Sequence, residues 1–104
     1  MAEKMKPVHP GEIPLEEFLK PLGLSMNKLA LDLRMPITRI ANIVHQRRGI
    51  TPDTALRLAR YFKNAPVFWM NLQVRYDLEV AEDQQAAQVA RDVRPSAAVS
   101  ARVA

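Results

Sequence analysis

The 104-residue chain contains no cysteine, which rules out a disulfide framework, a thiolate nucleophile and any zinc site built on cysteine clusters. Its two histidines, His9 and His45, stand far apart and without short-spaced carboxylate partners, so neither a metal site nor a cofactor is expected. Glycine is scarce, at three residues, and none sits in a phosphate-cradling loop. Nowhere do about 18 apolar residues run together, and no apolar segment follows the charged start at Met1 to Lys6. The expectation is a cytoplasmic protein with no membrane partner. Sustained apolar–polar alternation is missing as well, which leaves a half-buried sheet without support. Glu16 and Glu17 are adjacent on a helical stretch and point in different directions, serving a helix dipole better than acid–base catalysis. With no catalytic set in view, an enzyme is not expected.

What is present is a globular composition, 48% hydrophobic and 25% charged, on a chain long enough for one core without covalent staples. The net charge of +4 is unevenly placed. Between Lys28 and Lys63 eight bases face only Asp32 and Asp53, a local +6, whereas Asp77, Glu79, Glu82 and Asp83 form an acidic stretch with no base. A basic middle of this kind creates a field suited to a polyanion.

Five stretches carry apolar residues at helical spacing, which predicts an all-α fold. Pro14 opens the first, with Leu15, Phe18, Leu19 and Leu22 on one stripe, Pro21 ending its regular part and Gly23 available as a stop. Ser25 caps the second, whose stripe is Met26, Leu29, Ala30 and Leu33. After Arg34 and Met35, Pro36 suits the first turn of a third helix with Ile40, Ile43 and Val44 inside. Thr51, Pro52 and Asp53 give the fourth a cap, a first-turn proline and a dipole-favoured acid, ahead of Ala55, Leu58, Ala59 and Phe62. The fifth opens near Pro66 and runs through Phe68, Trp69, Leu72 and Tyr76 toward Val80. This divides the chain into an N-terminal arm (1–10), a folded domain (11–82) and a flexible or partly helical tail (83–104) that lacks large apolar residues.

Two short helices meeting at a tight turn form a helix-turn-helix, whose second helix can enter a major groove. With Ile40, Ile43 and Val44 inside, its outward positions are Ile37, Thr38, Arg39, Ala41 and Asn42. Asn42 can pair with adenine, Arg39 with guanine or a phosphate, and Ile37 or the Thr38 methyl can press on a thymine methyl. Ile37, Thr38, Arg39 and Asn42 are thus the candidate base contacts. Ser25 and Lys28 at the start of the preceding helix, with His45, Arg47 and Arg48 after the recognition helix, are the candidate phosphate contacts. Trp69, Met70 and Tyr76 at helical spacing read first as core. The fifth helix nevertheless carries more apolar surface than one core can cover, and a second copy of the chain is the simplest cover. Phe68, Trp69, Leu72 and Tyr76 are its candidate interface.

The run "GLSMNKLALDLRMPITRIANIVHQRRGITPDTALRLARYF" resembles the Cro/repressor-like (XRE) helix-turn-helix family. With "HPGEIPLEEFLKPLGLS" before it and "PVFWMNLQVRYDLEVAE" after it, residues 8 to 82 are similar to the HigA-type antitoxins. That resemblance implies a five-helix Cro/repressor-like (lambda-repressor-like) domain that dimerises and represses its own operon from a palindromic operator. It also implies a second partner, a HigB-type toxin that is a ribosome-dependent mRNA endonuclease. The alternative is a stand-alone helix-turn-helix regulator with no toxin. Three positions depart from the family pattern: Met26 replaces a phosphate-binding glutamine, and Arg34 and Gln46 replace glycines. A left-handed backbone at Arg34 or Gln46 would cost about 1–2 kcal/mol relative to glycine.

Overall fold

A computed structural model describes residues 6–99, except for the side chain of Leu15; the outer parts of the arm and tail and the place of Leu15 in the first stripe lie outside that description. Among the described residues there are five helices and no strand, as the all-α reading expects. The first helix (α1) is a π-helical segment, Pro14–Leu19, that runs into a single α-helical turn, Lys20–Leu22. It is followed by α2 (Met26–Leu33), α3 (Ile37–Val44), α4 (Pro52–Phe62) and α5 (Pro66–Asp92). No described helix is long and apolar enough to cross a membrane.

Pro21 does not end α1. It lies inside the last turn, and the wider π segment falls where its ring and missing N–H would disturb the Glu17 carbonyl. A wide turn uses more residues than the 3.6 of an α-helix, so later positions rotate off the starting face. Leu19 is therefore buried while Leu22, expected on the same stripe, is 63% exposed. Gly23 closes the helix in the left-handed region at φ 68°.

The other starts follow their caps. Ser25 Oγ accepts from the Lys28 N–H at 3.0 Å, and Thr51 Oγ1 accepts from the Thr54 N–H at 3.4 Å. Pro36 stands just before α3 in an extended conformation rather than in its first turn, so α3 begins without a side-chain cap. The core joins Leu29, Ala30 and Leu33 of α2, Ile40, Ile43 and Val44 of α3, and Ala55, Leu58 and Ala59 of α4 around Trp69 of α5. Trp69 has no exposed surface. Phe18 and Phe62 pack on its indole with ring centroids 5.4 and 5.9 Å away, and its Nε1 donates to Asn64 Oδ1 at 2.9 Å. Enclosing an indole removes roughly 200 Å² from water, which stabilises the fold by up to about 5 kcal/mol.

His9 and Pro10 belong to the packed body rather than to a free arm, since both are buried. Helix α5 continues to Asp92, although every described residue from Glu82 onward is exposed. Gln, Ala and Arg are good helix formers and no glycine or proline intervenes before Pro95, so the backbone stays helical where the side chains have nothing to pack against.

Candidate nucleic-acid interface

The helix-turn-helix is made by α2, a tight turn and α3. Arg34 leaves α2 at φ 59°, in the left-handed region, and its N–H returns to Leu31 O at 3.2 Å. The Met35 N–H then bonds Ala30 O at 3.0 Å and the Met35 side chain is buried, which pins the turn from inside. Gln46, just past α3, is also left-handed at φ 65°. Both positions thus carry the strain expected of a non-glycine residue there, and Lys63 after α4 adds a third at φ 60°.

Arg57 of α4 supports the strained turn from outside. Its Nη1 donates to Leu33 O at 2.8 Å and more distantly to Arg34 O at 3.4 Å, while its Nε bonds both oxygens of Asp53 at 3.0 and 3.2 Å. These bonds satisfy carbonyls that the end of α2 leaves without intrahelical donors. A second bridge runs from Tyr61, whose hydroxyl donates to Asp32 Oδ2 at 2.6 Å, and Lys28 Nζ adds an ion pair to Asp32 at 3.1 Å. The Tyr61 hydroxyl, and then Lys28, hold the Asp32 carboxyl below its usual value.

The "HPGE" turn presses on the other end of α3. His9 Nδ1 accepts from the Gly11 N–H at 2.9 Å, and the imidazole meets the Tyr76 ring edge-on at 4.8 Å between centroids. Gly11 lies so close to α3 that a Cβ would come within 1.8 Å of the Ile43 carbonyl oxygen. Glu12 reaches Gln46, whose Nε2 donates to Glu12 Oε1 at 3.1 Å. From α5, Gln73 Oε1 accepts from the Ile50 N–H at 2.6 Å and holds the loop that follows.

Fixed in this way, α3 buries Ile40, Ile43 and Val44 and turns its opposite side outward. Ile37 is 40% exposed, Thr38 is exposed, and Arg39 and Asn42 are half-buried along the same ridge. Arg39 lies 4.0 Å from Asp53, and Asn42 Oδ1 accepts from Arg47 Nε at 3.1 Å. His45, Arg47 and Arg48 are exposed beside the ridge, and Ser25 and Lys28 are exposed at the start of α2. The residues singled out as base and phosphate contacts are therefore all exposed or half-buried, and the Arg47–Asn42 hydrogen bond brings two of them together. Sequence reasoning missed the supports behind it: Arg57, Gly11 and Gln73. The only advance signal was "HPGE", whose packing role has no periodicity to betray it.

The candidate interface on α5 is brought together only in part. Trp69 must be removed from it, because a side chain wholly enclosed by its own chain has no surface left to give a partner. Tyr76 and Leu72 are half-buried, and Phe68 is 40% exposed. Val67, Val74 and Leu78 are the more open apolar positions of this helix, at 59%, 50% and 58%.

A helix-turn-helix family model matches residues 15–69, a little over half of the chain. The chain is 51% identical over 82 residues to the virulence-associated protein I of Dichelobacter nodosus, covering 79% of this chain and 76% of that protein. Among solved structures, an addiction module antidote protein of the HigA family from Coxiella burnetii is 42% identical, with a TM-score of 0.84 over 88% of this chain and 100% of that one. The Pseudomonas aeruginosa antitoxin HigA, solved with the higBA promoter, is 40% identical, with a TM-score of 0.84 over 86% of this chain and 97% of that one. By sequence and by three-dimensional form, the chain belongs to the Cro/repressor-like (XRE) helix-turn-helix family and, within it, to the HigA-type antitoxins.

Proposed function

We propose that this protein is a cytoplasmic, sequence-specific DNA-binding antitoxin, which represses its own operon and neutralises a HigB-type toxin by binding rather than by catalysis. The observation that carries the DNA part is the outward ridge of Ile37, Thr38, Arg39 and Asn42 on a helix whose other side is core. Each well-matched base contact there discriminates by about 1–3 kcal/mol. Ser25, Lys28, His45, Arg47 and Arg48 hold the flanking phosphates and set the salt dependence.

The working unit is a homodimer joined through α5, with Phe68 and Leu72 extended by Val67, Val74 and Leu78, and Tyr76 at the margin. Its two α3 helices enter successive major grooves about 34–36 Å apart. Support for the operator comes from the Pseudomonas aeruginosa antitoxin HigA, solved with the higBA promoter, and support for a toxin comes from the antitoxin naming of such relatives.

Gel-shift titrations at several salt concentrations, on the duplex upstream of its own gene and on random duplex, test the DNA part. Asn42→Ala is expected to narrow the gap between the two DNAs. Equal losses on both would remove Asn42 from base reading. Co-expression with the adjacent open reading frame tests the toxin part: a small basic ribonuclease that co-purifies and is silenced supports it. Absence of any such gene or partner leaves a stand-alone regulator.

A further inference from the structure

A basic side chain that only neutralises phosphate carries no sequence preference, yet Arg47 is tied to Asn42, the residue proposed above as a base contact. The left-handed turn at Gln46, φ 65°, folds the chain back over the end of α3. As a result the N–H groups of Arg47 and Arg48 both donate to the Asn42 carbonyl, at 2.8 and 3.1 Å. From there the Arg47 side chain reaches Asn42 itself, with Nε donating to Oδ1 at 3.1 Å. A guanidinium has donors only, so the Asn42 amide must turn its oxygen toward Arg47 and its nitrogen away. An unrestrained amide has a broad, two-fold torsional preference and could present donor and acceptor in either order.

We propose that Arg47 is a positioning residue for base recognition: by holding Asn42 Oδ1 it fixes which way the amide faces, and so which base Asn42 selects. This rests on the reading of Asn42 as a base contact. The oxygen keeps a second lone pair for a base N–H, and the outward nitrogen keeps its donors. Meanwhile the Nη groups of Arg47 make no hydrogen bond among the described residues, which leaves them for a phosphate. One guanidinium then links backbone register to base reading, and the amide is best oriented when the phosphate beside it is correctly seated.

The test uses the full chain and a duplex selected from a randomised pool by the wild-type protein, each base pair of which is then varied singly. Asn42→Ala, Arg47→Lys and the double variant are titrated at several salt concentrations. Lysine keeps the charge but cannot reproduce the Nε geometry. Asn42→Ala is expected to lower discrimination at one base pair per half-site by roughly 5- to 150-fold. Arg47→Lys should lower it at that same base pair by at least about fivefold, with the slope of log K against log salt unchanged. The double variant should be no worse there than Asn42→Ala alone. Full discrimination retained by Arg47→Lys, or losses that simply add, would overturn the positioning role while leaving Asn42 as a base contact. If Asn42→Ala changes no base preference, both readings fail.

Discussion

Replacing Gly11 by alanine tests the packing of the "HPGE" turn against α3. The new Cβ would stand 1.8 Å from the Ile43 carbonyl oxygen and 2.8 Å from its carbon, whereas real Cβ contacts do not fall below 3.0 Å, so the segments must part by at least 1.2 Å. The obstacle is backbone, which cannot swing aside as a flexible side chain would. Overpacking of this kind costs about 1–3 kcal/mol, and loss of the 2.9 Å bond from the Gly11 N–H to His9 Nδ1 adds about 1 kcal/mol. Gly11→Ala should therefore destabilise the fold by about 3 kcal/mol, which lowers the melting temperature of a domain this size by about 12–24 °C.

Gly23→Ala provides the control, since φ there is +68° but no atom lies within 4 Å of the added Cβ; its cost should be only about 1 kcal/mol. Thermal and urea unfolding followed by circular dichroism, at one fixed protein concentration because the midpoint of the proposed dimer would depend on it, would measure both. A Gly11→Ala protein within about 0.5 kcal/mol of wild type, or no less stable than Gly23→Ala, would refute the close approach of this turn to α3.

Lys63→Gly should raise stability by about 0.5–1 kcal/mol, because relief of the left-handed strain at φ 60° exceeds the entropy that glycine adds to the unfolded chain; a urea midpoint that fails to rise would count against it. Burial holds the His9 imidazole below its ordinary value of 6.5, although Glu12 and Asp77 pull the other way. The unfolded chain therefore binds a proton before the folded one does, so stability is complete above pH 6.5 and falls as pH drops from there toward the folded value. Unfolding free energies measured between pH 7.5 and 5.5 should show that decline in wild type and a flatter line in His9→Asn; parallel lines would show that another group is responsible.

The helices were legible because each leaves a local mark. Ser25 and Thr51 sit where caps must sit, and Gly23 closes α1 in the conformation that glycine tolerates best. The outward side of α3 was equally legible, since Ile40, Ile43 and Val44 define an inner stripe and geometry then puts Thr38 and Asn42 on the other side. The strain at Arg34 and Gln46 was foreseen, whereas that at Lys63 was not. Leu22 was misplaced because the stripe assumed a uniform helical turn, and the π segment before Pro21 changed the count. Helix α5 runs past Val80 to Asp92, so the part of the tail up to that residue is its helical part, kept so by good helix formers and not by packing.

Trp69 shows where local pattern stops. Its spacing put it on an apolar face of α5, but spacing does not say whether a face meets its own chain or another, and here Phe18 and Phe62 enclose it. The same holds for Arg57 on the carbonyls of Leu33 and Arg34, Gly11 beneath Ile43 and Gln73 on Ile50. By itself the sequence determined the helices, their order and the outward side of α3, because these follow from periodicity and caps within a few residues. Only the tertiary structure decided which side chains lock that helix in place. Those contacts join residues more than twenty positions apart, and their energy depends on distances that no local spacing encodes.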